Sequence, residues 1–144
     1  MTKTNRDVIV FSNIAGKWAQ EHPALSRFGY ALSKLHKQLA KTIEAYQDAS
    51  EDLNVEHCAV NKDSHLLKDA TGYIYTKDGR KALDKARREL LEKEVEVTPF
   101  MVKAVPDELP VEILLALEGF VLPDGFTETY LTEKVGDEPA VEGV

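Results

Sequence analysis

Residues 31–53 read ALSKLHKQLAKTIEAYQDASEDL, and the spacing of the apolar side chains in this stretch decides the fold. Steps of three and four residues separate its inner positions, which are Leu32, Leu35, Leu39, Thr42, Tyr46, Ala49 and Leu53. This seven-residue repeat is typical of a long amphipathic helix. Since Pro23 suits the first turn of such a helix, we predict one helix over residues 24–55. Its length of about 45 Å is large for the chain, so we expect part of it to project beyond the core or to pack on another chain.

A shorter helix is predicted before this segment. Thr4 and Asp7 have the spacing of a capping box, in which each side chain binds the backbone amide of the other residue. Apolar residues at helical spacing follow them, namely Val8, Phe11, Ala15 and Trp18. The pattern therefore predicts a first helix over residues 5–20.

Downstream of the long helix, the sequence indicates a small β-hairpin and a third helix. Residues 58–60 are compatible with a short strand, and residues 73–76 are β-branched and aromatic, with turn residues between them. Leu83, Ala86 and Leu90 then form the inner face of a helix over residues 79–94. A hairpin between the two helices favours their antiparallel packing.

The C-terminal third begins with an extended segment over residues 95–105, which Pro99 interrupts. A short fourth helix is predicted over residues 107–118, and Gly119 ends it. Its side chains are apolar almost all round, so we expect it to be buried in its own core or under a neighbouring subunit. From Pro123 onward the sequence is acidic and rich in turn residues, which indicates an irregular tail.

These elements predict a mostly helical α+β fold in which the long helix and a shorter antiparallel helix are joined by a β-hairpin, with flanking terminal helices. A chain of 144 residues is long enough for one core, so we predict a single domain over residues 1–122 and an acidic C-terminal tail over residues 123–144.

The charge is divided unevenly along the chain. The formal net charge is −7, but residues 1–93 carry sixteen basic and thirteen acidic side chains, whereas residues 94–144 carry two and twelve. The acidic end could fold back on the basic helices, stay solvated or meet a basic partner.

No motif for catalysis or metal binding is found in the sequence. It has no phosphate-binding P-loop, nucleophile elbow or His-Glu-x-x-His zinc motif. His57, Cys58 and His65 lack the four paired ligands of a zinc site, and neighbours on a strand point to opposite faces. We interpret them as ordinary hairpin residues and predict no catalytic residue, no metal and no cofactor. The single cysteine excludes an internal disulfide and fits a reducing compartment.

Two basic stripes are predicted on the helices. One comprises Lys34, Lys37 and Lys41; the other comprises Lys81, Lys85 and Arg88, with Arg80 and Arg87 beside it. They could be solvated, pair with the acidic end, contact a protein or contact nucleic acid. The sequence pI of about 5.1 argues against nucleic acid. No apolar run approaches the ~20 residues of a membrane span, and the N-terminus lacks the apolar segment of a signal peptide.

Five segments together resemble a family of small, uncharacterised proteins of tailed bacteriophages, encoded near genes for virion structure or assembly. They are residues 5–9 (NRDVI), 31–35 (ALSKL), 72–75 (GYIY), 89–97 (ELLEKEVEV) and 109–120, which runs from Leu109-Pro110 to Leu117-Glu118-Gly119-Phe120. The resemblance covers residues 5–120 and supplies no functional residues. It implies a phage setting and a role in the particle or its assembly.

We therefore predict a non-enzymatic phage accessory structural or assembly protein that acts through protein–protein contacts, in the virion or the host cytoplasm. Its expected partners are other phage structural proteins or a second copy of the chain, without a membrane. The candidate contact residues are Leu32, Leu35, Leu39, Tyr46, Leu114, Leu117 and Phe120. The alternative is a small phage regulator or anti-defence protein that binds a host protein through its acidic C-terminal region. An enzyme with an unrecognised site is a third hypothesis.

Overall fold

The fold is known from a computed structural model, which describes residues 1–21, 26–107 and 109–133. Within these residues the chain is mostly helical with two small antiparallel sheets, which confirms the predicted fold class at this level. The elements in chain order are β1 (Thr2–Thr4), α1 (Asn5–Glu21), α2 (Arg27–Gln38), α3 (Ala40–His57), β2 (Lys68–Asp69), β3 (Gly72–Tyr73), α4 (Lys77–Glu92), β4 (Glu94–Glu96), α5 (Val111–Leu117) and α6 (126–133).

Helix α1 matches the predicted first helix to within one residue, and its capping box is present. The Asp7 amide donates to Thr4 Oγ1 at 3.2 Å, and the Thr4 amide donates to Asp7 Oδ2 at 3.3 Å. The inner stripe is buried as well, with Val8, Phe11 and Ala15 almost inaccessible to solvent. Local capping and the apolar stripe together fix this helix.

The predicted long helix is divided at Leu39 into α2 and α3. Leu39 has φ −86° and ψ −3°, away from the helical average near −63° and −42°. Hydrogen bonds of helical type persist on either side, because the Leu39 amide donates to Leu35 O and the Ile43 amide donates to Leu39 O. The division is therefore a bend. Leu39 is buried in the core, whereas α3 beyond it buries no side chain.

Residues 40–92, called the arm below, comprise α3, the hairpin and α4. Arg87 Nη2 donates to Asn54 Oδ1 at 2.5 Å, and near the other end of the pair Ala49 and Leu90 line one depression. These contacts place α4 beside α3 in the opposite direction. All residues of the arm are described, and its buried hydrophobic side chains are Cys58 and Leu83.

The arm carries the small β-hairpin that the sequence indicates. Strands β2 and β3 pair with Lys68 opposite Tyr73, and the segment after α3 joins them through backbone hydrogen bonds. The Ala59 amide donates to Ile74 O, and the Leu67 amide donates to Ala59 O, both at 2.9 Å.

The sheet formed by β1 and β4 is absent from the sequence prediction. Thr2 pairs with Glu96 and Thr4 with Glu94, and the strands are too short to give a recognisable alternation. The next residue, Asn5, donates its amide to Lys93 O and its side-chain Nδ2 to Leu90 O, both at 2.9 Å. These donors satisfy carbonyls at the C-terminus of α4, which lack partners within their own helix.

The core lies where α1 and α2 meet the C-terminal third of the chain. Its buried members are Val8, Phe11, Ala15, Phe28, Ala31, Leu32, Leu35, Leu39, Val97, Leu114, Leu117, Phe120, Val121 and Leu122. The Phe11 and Phe120 rings stack with centroids 4.6 Å apart. Apolar burial of this set is the main stabilising contribution to the fold.

Helix α5 differs from its prediction in length and in burial. It spans Val111–Leu117 rather than 107–118, and Glu108 lies outside the described residues. Leu114 and Leu117 are fully buried, but Val111 and Leu115 are exposed. The helix is thus amphipathic, and an apolar sequence all round does not make it buried all round.

The segment after Leu122 also differs from its prediction. Gly119 turns the chain with φ +81°, a conformation that favours glycine, and residues 120–122 are buried. The predicted irregular tail over 123–144 contains α6, whose first turn is capped from a distance. The Glu118 carboxylate accepts the Gly125 amide at 2.6 Å and the Thr127 amide at 3.3 Å. Residues 134–144 of the tail lie outside the described residues.

Candidate docking groove

Six of the seven candidate contact residues are core residues of the chain itself. Less than a twentieth of each side chain is exposed in the set Leu32, Leu35, Leu39, Leu114, Leu117 and Phe120. A partner cannot reach them without unfolding the domain, so they do not form an exposed contact surface. The heptad stripe that selected the leucines reports burial, and burial within one chain gives the same pattern as burial between chains.

Tyr46 is the exception, because it is half-buried. It lines a depression of about 280 Å³ between α3 and the end of α4, together with Thr42, Ala49 and Leu90. Lys41 and Lys93 lie at the same depression. The structure thus separates Tyr46 from the other six candidates.

The hairpin residues His57, Cys58 and His65 do not form a ligand cluster. The buried Cys58 thiol donates to Ala59 O at 3.2 Å and to Leu67 O at 3.3 Å. His65 is exposed. In the part of the chain that the structure describes, no three His, Cys, Asp or Glu side chains are grouped as a metal site.

The arm also contains a short hydrogen bond between two shifted titratable groups. The Tyr73 hydroxyl donates to Glu51 Oε1 at 2.5 Å. This bond lowers the pKa of Glu51 and raises the pKa of Tyr73. Both side chains lie at the surface of the arm, and the bond ties β3 to α3.

The second basic stripe lies on α4, and only part of it is paired. Arg80 forms an ion pair with Asp84 at 3.4 Å, and Arg87 binds Asn54. Lys81, Lys85 and Arg88 are exposed. In the first stripe, the bend at Leu39 separates Lys34 and Lys37 on α2 from Lys41 on α3.

A groove between α2 and the segment after β4 combines aromatic, apolar and basic side chains. Its volume is about 720 Å³, and its lining residues are Ser26, Arg27, Tyr30, Phe100, Met101, Val102, Lys103 and Ala104. Two of these residues are cations, and among the described residues that line the groove none is acidic. We call it the Tyr30 groove.

Local structure on both sides holds the walls of the Tyr30 groove in place. Ser26 caps α2 by accepting the Gly29 amide at 2.9 Å, so the first turn, with Arg27 and Tyr30, is fixed. On the opposite wall, the Phe100 amide donates to Phe120 O and the Val102 amide donates to Val121 O, both at 2.8 Å. The wall is thus hydrogen-bonded to the buried segment of the core.

The aromatic pair in the groove is preorganised and accessible at the same time. The Tyr30 ring meets the Phe100 ring edge-on with centroids 5.9 Å apart, and Lys34 Nζ lies 5.0 Å from the Phe100 centroid and 5.9 Å from the Tyr30 centroid. Such edge-on and cation–π contacts restrict the rings. Tyr30 nevertheless leaves 53% of its surface exposed, and Met101 beside it leaves 43%.

The cations of the groove have no acidic partner within the chain as described. None of Arg27, Lys34 and Lys103 forms an ion pair with a carboxylate of residues 1–21, 26–107 or 109–133. The groove therefore offers apolar surface together with positive charge. It suits a peptide segment that carries carboxylates beside an apolar side chain.

Sequence analysis missed this groove because its two walls are about 70 residues apart in the chain. A partial signal exists on α2, where Arg27, Tyr30 and Lys34 are spaced by three and four residues and lie on one helical face. The face carries an aromatic residue between two cations, opposite the buried stripe. The second wall has no signal of its own.

No protein-family model, curated protein or solved structure matches the chain. Every helix in the described ranges is too short or too polar to cross a membrane.

Proposed function

We propose that the chain is a non-enzymatic accessory structural or assembly protein of a tailed phage, and that the Tyr30 groove is its contact site for another phage structural protein. The resemblance of five segments to small phage proteins supports the phage setting. The groove supports action through a protein–protein contact, and it replaces the buried leucines as the contact surface.

The observation that carries the proposal is the exposure of Tyr30 on an ordered wall. Tyrosine is enriched among the residues that dominate binding energies, because its ring offers large contact area at low entropic cost. Here Phe100 and Lys34 hold the ring before any partner arrives. A partner that covers Tyr30 and Met101 gains affinity from apolar burial, whereas the cations steer and orient it.

The size of the groove defines its role in such a contact. A stable interface buries about 800 Å² on each partner, whereas a groove of ~720 Å³ accommodates only a few side chains. We therefore assign it the anchor of a larger contact. The partner contributes an acidic segment with one apolar or aromatic side chain at that anchor.

The test places the photo-reactive residue benzoylphenylalanine at position 30 in the chain during infection by the encoding phage. The matched control carries it at position 60, because Val60 lies in the hairpin and is 53% exposed, like Tyr30. We expect a crosslink from position 30 to one protein of the particle or of an assembly intermediate, and none from position 60.

Two outcomes contradict the proposal. The first is absence of the chain from purified particles and from assembly intermediates by mass spectrometry. The second is a crosslink pattern that is the same from positions 30 and 60, because it would show that the groove does not select the partner.

A further inference from the structure

We propose that the acidic segment 134–144 of the chain itself also occupies the Tyr30 groove, in competition with the partner. This inference rests on the proposed function in treating the groove as a binding site. It assigns that site a regulatory occupant, and segment 134–144 lies outside the described residues.

The position of α6 supports the inference. Helix α6 reaches Glu133, which lines a depression of about 340 Å³ together with Lys103 and Ala104. Lys103 and Ala104 also line the Tyr30 groove. Residue 134 therefore follows a residue that lies at the edge of the groove.

The length of the segment is sufficient to fill the groove. Eleven residues in extended form span up to about 36 Å, at ~3.3 Å per residue. The cationic face of α2 from Arg27 to Lys34 is about 10 Å long, at ~1.5 Å per residue. The segment can therefore cross the groove without any change in the position of α6.

The chemistry of the segment matches that of the groove. It carries three carboxylates, Asp137, Glu138 and Glu142, against one lysine, and its apolar residues include Val135 and Val141. The groove offers three cations without carboxylate partners in the described chain, beside exposed apolar surface. The tether raises the local concentration of the segment to the order of 1 mM, so even a weak contact is populated.

The experiment uses the full-length chain with benzoylphenylalanine at position 30, illuminated as the purified protein at low concentration. We expect a crosslink within one molecule to residues 134–144, mapped by mass spectrometry after proteolysis. We expect the yield to fall about fivefold in Lys103→Glu, because reversing a charge at contact distance changes the attraction by roughly that factor. The control is Lys62→Glu, which makes the same charge change in the exposed hairpin and should leave the yield unchanged.

Three results would overturn the inference: no crosslink to residues 134–144, equal losses of yield in the two lysine variants, or a crosslink found only between two molecules and rising with concentration. Native fluorescence of Trp18 in each variant confirms that the core is intact. The two proposals fail separately, because a crosslink to a particle protein without one to residues 134–144 rejects only this inference. The opposite pattern rejects only the proposed function.

Discussion

Replacing Leu117 or Leu115 with alanine tests the reassignment of α5 from contact surface to core. Both leucines lie on the same helix and lose the same atoms in the substitution. Leu117 is fully buried in the core cluster, whereas Leu115 leaves 56% of its surface exposed. If the structure is right, the two variants differ in stability although they are identical in chemistry.

The expected magnitudes follow from burial. Alanine lacks three carbon atoms of leucine, which at ~0.8 kcal/mol each gives about 2.4 kcal/mol of lost transfer free energy. The residual cavity raises the cost for Leu117→Ala to about 3 kcal/mol, within the range of buried leucine truncations. Leu115→Ala should change the free energy of unfolding by no more than about 0.5 kcal/mol, because neither solvent exposure nor helix propensity changes much.

Urea unfolding followed by fluorescence measures both values, since Trp18 is the single tryptophan and packs edge-on against the core residue Phe28. For a chain of this length, 3 kcal/mol corresponds to a fall in Tm of about 10 °C. Equal destabilisation by the two variants would refute the placement of α5. A near-neutral Leu117→Ala with loss of partner binding would instead restore Leu117 as a contact residue.

Three further predictions concern local interactions. Glu118→Gln should destabilise the cap of helix 126–133 by about 1 kcal/mol at neutral pH, a value limited by solvent screening. Burial opposes ionisation of Glu118, but its hydrogen bonds outweigh that effect and lower its pKa, so the wild-type advantage is present above the unfolded pKa and is lost as pH falls through the folded pKa. Urea titrations of both proteins at pH 7 and at about pH 3 check this, and a difference independent of pH would contradict it. Thr4→Ala should cost about 1 kcal/mol of unfolding free energy, because the amide of Asp7 loses its acceptor, and an unchanged urea midpoint would show that the capping box is not stabilising. Cys58 should react with a thiol reagent far more slowly in the native protein than in urea, because its thiol is buried; equal rates, read from the absorbance of the released product, would place it at the surface.

The limits of sequence reasoning are clearest at the site. Arg27, Tyr30 and Lys34 share a helical face, and that much is readable from spacing alone. Their function as one wall of a groove depends on Phe100 and Met101, which reach them only because alternate amides of residues 100–102 bind the buried segment 120–121. Long-range backbone hydrogen bonds of this kind leave no local pattern, so the groove appears only in the folded chain.

The bend at Leu39 shows the same limit within one helix. The heptad continues through Leu39 without a proline or glycine, so the sequence indicates an unbroken helix. The structure buries Leu39 in the core and leaves α3 to pack beside α4 in the arm. The competition between two burial sites decides the bend, and that competition is tertiary.

Local physical chemistry in the sequence was sufficient to determine the helical character of the chain, the start and capping of α1, the presence of a hairpin and the apolar stripe of α2. Capping, propensity and periodicity act over a few residues, so they can be read from neighbours in the chain. Tertiary structure alone decided which stripes face the core of the same molecule, which strands pair across 90 residues and which side chains remain exposed. Burial depends on what packs against a surface, and periodicity shows that a surface is apolar without showing what covers it.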